Sequence, residues 1–74
     1  MRVVIVLPTR RGPENYAVTC ESGRQCTEVA KVEMRRPHNQ REGAKVRIEG
    51  ETAGGFWTPL VEWVYRGSWA KELR

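Results

Sequence analysis

Asn15-Tyr16-Ala17-Val18-Thr19-Cys20-Glu21, followed after Ser22-Gly23 by the run from Cys26 to Met34, is the stretch whose reading decides the fold. In the first run Tyr16, Val18 and Cys20 point one way, and Ala17 and Thr19 the other. In the second, Cys26, Ala30, Val32 and Met34 oppose Thr27, Val29, Lys31 and Glu33. Alternation with a period of two marks a half-buried strand, and two such runs around a short glycine-containing turn predict a β-hairpin.

Outward from that hairpin the pattern stays β. Val3 to Leu7 is a short β-branched run, apolar on both faces, and reads as a central buried strand ended by Pro8. Pro8 to Glu14 is a turn-rich connection carrying Arg10 and Arg11 between two prolines. Residues 35–43 hold no large apolar side chain and read as a solvated loop. Ala44, Val46 and Ile48 alternate with Lys45, Arg47 and Glu49, which predicts another half-buried strand. Gly50 to Gly55 is a turn.

Phe56 to Tyr65 is open to two readings. Its Val, Trp and Tyr content favours a strand, with Pro59 then at a sheet edge or a bulge. Thr58-Pro59 would also cap and start a helix that Gly67 could stop. As a strand, it would place Trp57, Val61, Trp63 and Tyr65 on one face. Ser68 is positioned to cap one short helical turn over residues 68–74. The expected architecture is a single small domain over residues 1–74. It is mainly β: an antiparallel sheet or partly closed barrel of four to five strands, with or without one short C-terminal helix. The alternative is an α+β arrangement with a helix from about residue 59.

Size and composition bound what such a chain can do. With 74 residues it buries only about 60–65% of its unfolded surface, and its stability is expected to be about 3–5 kcal/mol. A core this small leaves little room for a deep substrate cavity, which argues against a metabolic enzyme. The 13 Lys+Arg exceed the 9 acidic residues, for a net charge of +4. All the acids are Glu, and Arg greatly outnumbers Lys. The excess positive charge lies before residue 42. Arginine's planar fork matches phosphate and carboxylate in two-point contact.

The chemical motifs are sparse. Cys20, Cys26 and His38 are the soft ligands, too few for a structural zinc site and spaced too widely for the usual motifs. No metal and no cofactor are expected. The two cysteines are either bridged across the predicted hairpin or free thiols, and a reducing compartment favours the latter. His38 offers a base to neither cysteine in a recognisable nucleophile setting. The Gly50–Gly55 turn lacks the lysine and following helix of a phosphate loop. The aromatic–glycine signature of RNA-recognition sheets, the Gly-x-x-Gly of KH domains and zinc-finger spacing are all absent. The longest apolar run falls far short of a membrane span and of a secretory signal, so a cytoplasmic location is expected.

What remains is two arginine clusters on connections and a concentration of aromatics after residue 55. Arg10, Arg11, Arg35, Arg36 and Arg41 are the candidate contacts for backbone phosphates. Trp69, near the C-terminus, is the aromatic expected to be partly exposed and to join them. These features point to a non-enzymatic, basic regulator that binds nucleic acid or nucleic-acid-handling machinery. The alternative is a protein–protein inhibitor module of phage or plasmid type. It would dock on an acidic surface of a host enzyme such as RNA polymerase or a nuclease.

Overall fold

The computed structural model describes residues 1–73. Five strands form one open antiparallel sheet: β1 (Arg2–Leu7), β2 (Glu14–Thr19), β3 (Lys45–Glu51), β4 (Trp57–Tyr65) and β5 (Trp69–Leu73). Their spatial order is β2-β1-β3-β4-β5. One helix, α1 (Gly23–Arg35), and a 3-10 turn (Pro37–Asn39) follow β2. The fold is therefore mainly β, as expected, with a sheet that stays open and does not close into a barrel. Residues 45–51 and 57–65 are strands, and the helix starting near residue 59 does not form.

β1 is the interior strand its composition predicted. Val3, Ile5 and Leu7 are buried on one face. Directly opposed residues of an antiparallel ladder share a face. Val3 therefore aligns with Val18 and Ile48, and Ile5 with Tyr16 and Val46. This face continues across β4 through Val61 and Trp63. Helix α1 covers it over β1 and β3, laying Cys26 and Ala30 onto the strands.

The second half of the predicted hairpin is wrong: residues 26–34 are helical. The hairpin partner of β2 is β1, not the segment that follows. The physical reason lies at Ser22. Its side chain accepts a hydrogen bond from the Gln25 backbone N–H at 3.1 Å, and Gln25 Oε1 accepts from Glu21 N at 2.6 Å. This is close to a reciprocal capping box, which starts a helix. Cys26, Ala30 and Glu33 then recur at spacings of four and three and are the buried positions of α1. Glu28, an acid where the alternating reading needed an apolar residue, is the sequence sign that the period is not two.

Two further expectations change. Residues 69–73 form β5, not a helical turn, and Arg74 lies outside the described residues. A bulge skips Leu60 in the β3–β4 ladder, where Ile48 aligns with Val61 but Glu49 with Pro59. Alternation is thereby reset. Val61, Trp63 and Tyr65 stay on the helix-covered face, while Trp57 turns to the other, where the Arg2 guanidinium sits 4.1 Å from its ring centroid. Pro59 falls at the bulge, and β5 reaches only as far as Glu62. The missing N–H of Pro59 thus costs no ladder bond on that side.

Cys20 and Cys26 form a disulfide, with Cα atoms 5.5 Å apart. It ties the exit of β2 to the first turn of α1. On the uncovered face, Glu49 is buried between Arg2 (2.7 Å) and Arg47 (3.6 Å), and Arg47 also reaches Glu62 at 3.7 Å. None of the helices among the described residues is long and apolar enough to cross a membrane.

Candidate functional site

The strand directions decide where the arginines go. β1 ends at Leu7, and β3 begins at Lys45, opposite Val6. Helix α1 starts beside the beginning of β1, where Cys20 N donates to Met1 O at 2.9 Å. It runs back toward the other end. The β1–β2 turn, the C-terminus of α1 with residues 36–44, and the β4–β5 turn therefore gather at one end of the sheet. Contacts join them: the Arg41 guanidinium donates to Pro8 O at 3.3 Å, and Gly43 N to Tyr65 O at 2.9 Å.

At this end Arg10 and Arg11 are the two central residues of a tight turn. Thr9 and Gly12 exchange backbone hydrogen bonds at 3.1 and 3.2 Å. Gly12 takes φ 109°, a backbone conformation that disfavours a side chain. Both arginines consequently project from the tip and are exposed. Arg35 is the last residue of α1 and is also exposed. Among the described residues, Arg10, Arg11, Arg35 and Lys45 enter no ion pair. Glu14 and Glu42 are the unpaired acids at the same end.

Arg36 and Arg41 each have a partner within the chain. Arg36 pairs with Glu33 at 3.2 Å. Arg41 is half-buried and donates to His38 O at 3.1 Å as well as to Pro8 O. Arg41 is thus a brace between two connections, not a free head in solvent.

Residues 35–43 are correspondingly less loop-like than their polarity implied. Asn39 is fully buried, and Glu33 is nearly so. The Asn39 side-chain amide donates to Glu33 O at 2.8 Å and to Glu33 Oε1 at 3.1 Å. The Tyr16 hydroxyl donates to the same Glu33 Oε1 at 2.7 Å. Burial of that hydroxyl, and then its bond to the Glu33 carboxylate, push the Tyr16 phenol above its usual range. A polar plug of three side chains thus pins the 36–44 segment under the helix end. The sequence offered little to find it, because Asn39 reads as one more polar loop residue.

Trp69 is half-buried as expected. Its indole N–H donates to Met34 O at 2.8 Å, and its ring meets Tyr65 edge-on, with centroids 5.2 Å apart. It lines a cleft of about 350 Å³ together with Lys31, Met34, Arg35, Gln40 and Trp63. Trp63 was foreseen as a face-sharing aromatic but not as a cleft residue. Phe56, at 75% exposure, is the aromatic most open to solvent among those described. It lies with Trp57 and Leu60 at the opposite end of the sheet.

Among the described residues no three His, Cys, Asp or Glu side chains are grouped to hold a metal ion. The cysteines are bridged, and the His38 ring faces Arg41. Comparison with protein-family models, with curated proteins and with solved structures finds no match to this chain.

Proposed function

We propose that the protein is a small non-enzymatic regulator that binds nucleic acid, directly or within nucleic-acid-handling machinery, through its arginine end. One observation carries this reading. Three connections separated in sequence converge so that Arg10, Arg11 and Arg35 stand exposed without an ion-pair partner. Beside them Arg36, also exposed, pairs with Glu33, and Arg41 braces two connections. Unpaired guanidinium groups on a rigid support suit backbone phosphates. The cytoplasm is the compartment proposed from the sequence, and the Cys20–Cys26 bridge is the observation that weighs against it, since thiol reductants there disfavour disulfides.

The test is binding of Arg10→Ala/Arg11→Ala/Arg35→Ala to short nucleic acids across a salt series. Each phosphate contact removed should reduce the slope of log affinity against log salt by about 0.7–0.9. The three together should therefore reduce it by about two to three units, with thermal stability unchanged. An unaltered slope in a folded triple variant would refute the assignment.

The protein-inhibitor reading is favoured by a separate observation: Phe56, Trp57 and Leu60 are exposed together at the β3–β4 end. It expects binding to a protein surface centred on an apolar contact, lost on Phe56→Ser and retained, with a shallower salt dependence, in the triple arginine variant.

A further inference from the structure

The cleft beside Trp69 has a chemistry of its own. Helix α1 lies over β1 and β3, so the same face of β4 and β5 is only flanked by it. Trp63 and Trp69 stand on that flanked area, and Met34 closes the side toward the helix. Two indoles and a thioether make an apolar, polarisable lining. The rim is cationic: Lys31 and Arg35 line the cleft, and Lys71 aligns with Trp63 across the β4–β5 ladder. Among the described residues no acid lines it. Lys31 is only loosely held, 3.9 Å from an exposed Glu28. The volume, about 350 Å³, lies at the lower end of the range for small-molecule sites and is ample for a planar heterocycle with its sugar.

Trp69 is also set in place before any ligand arrives. Its N–H is fixed to Met34 O and its ring is braced by Tyr65. Gln40 Nε2 donates to the same carbonyl at 3.1 Å. The Gln40 carboxamide oxygen has no partner among the described residues and can accept from an N–H on a heterocycle edge. A flat, weakly polar ring attached to an anion fits this arrangement: aromatic walls for the ring, cations at the mouth for the charge.

We infer that the Trp63–Trp69 cleft seats one unpaired nucleobase, so that the protein prefers single-stranded over duplex nucleic acid. The inference rests on the nucleic-acid reading of the arginine end and specifies its substrate. In a duplex each base is stacked between neighbours, and its faces reach no side chain without being flipped out. In a single strand the base can leave the backbone track and stack on indole, an interaction tolerant of sequence. Arg35 belongs both to the cleft and to the exposed arginine set, which puts the base and its flanking phosphates within one continuous surface.

The experiment uses the intact chain and three labelled probes of equal length, about 12 nucleotides: oligothymidylate, an abasic strand with the same phosphates, and a duplex. Affinities are read by anisotropy, and tryptophan emission by titration with unlabelled strand. The inference expects oligothymidylate to bind about tenfold or more tightly than the abasic strand, and to quench the indoles. It expects Trp63→Leu to lower oligothymidylate affinity to the abasic level while leaving abasic binding unchanged. The comparison of probes on the unaltered protein holds whether or not Trp63→Leu folds. Equal binding of the thymidylate and abasic strands without quenching overturns the base-seating inference and leaves the phosphate reading standing. Failure of every probe to bind at low salt overturns the nucleic-acid reading and this inference with it.

Discussion

Asn39→Ala removes the centre of the polar plug, and its cost can be worked from the contacts. The amide makes one hydrogen bond to a backbone carbonyl and one to a carboxylate (2.8 and 3.1 Å). A neutral bond contributes about 0.5–1.5 kcal/mol and one to a charged group about 1.5–3 kcal/mol. Together they give about 2–4.5 kcal/mol, and the void left at a fully buried position adds to it. A domain of this size has only about 3–5 kcal/mol of stability to lose. Urea unfolding followed by tryptophan emission is the assay. With a slope near 1 kcal/mol/M, the midpoint should fall by about 2 M or more. Asn39→Asp keeps the shape but sets a second carboxylate beside Glu33, and should cost at least as much at neutral pH. The effect should be non-additive with Tyr16→Phe, because the Tyr16 hydroxyl and Asn39 share one Glu33 oxygen. A midpoint shift below about 0.5 M at unchanged slope would refute the plug as a stabilising unit.

Three other outcomes are expected. Reducing the Cys20–Cys26 bridge, which spans a sequence separation of 6, should lower stability by about 2 kcal/mol from loop entropy alone; unfolding curves that coincide with and without reductant would contradict it. The Tyr16 phenol is raised in the folded state, so its neutral form is favoured by folding. That contribution is complete below the ordinary phenol value near 10 and is lost as pH rises through the higher folded value. The difference in near-ultraviolet titration between wild type and Tyr16→Phe should show this, and ionisation at the ordinary value would not fit. Trp57→Ala should cost about 0.5–1 kcal/mol through its contact with Arg2, with no effect on nucleic-acid binding, since Trp57 lies on the other face.

The strands were legible where a residue's neighbours decide its state. The β readings of Val3–Leu7, Ala44–Glu49 and Phe56–Tyr65 follow from composition and alternation, and strands form there over Arg2–Leu7, Lys45–Glu51 and Trp57–Tyr65. The 26–34 segment misled because Cys, Ala, Val and Met satisfy two periods over so short a run. The deciding information was the Ser22–Gln25 cap, outside the run itself. Trp57 was placed on the wrong face because a one-residue bulge is invisible to an alternation count. At the candidate site, residue type was readable and partnership was not. Sequence marks Arg10, Arg11 and Arg35 as basic in the same way as Arg36 and Arg41. Only the convergence of three connections separates free guanidinium groups from those held by Glu33, His38 and Pro8.

The position of β1 between β2 and β3 also has a kinetic consequence. The turns joining β3, β4 and β5 are short, so this meander closes through contacts between near neighbours in the chain. β1 must instead find β3 across a large gap, as in the Arg2–Glu49 pair, 47 residues apart. Loop closure over that distance is slow relative to local pairing. The meander is therefore expected to form the folding nucleus, with β1, β2 and the helix condensing onto it. Truncating Val64 should then slow folding, whereas truncating Val3 should mainly speed unfolding. The arginine end, whose three connections belong to both halves, would be assembled only in the last step.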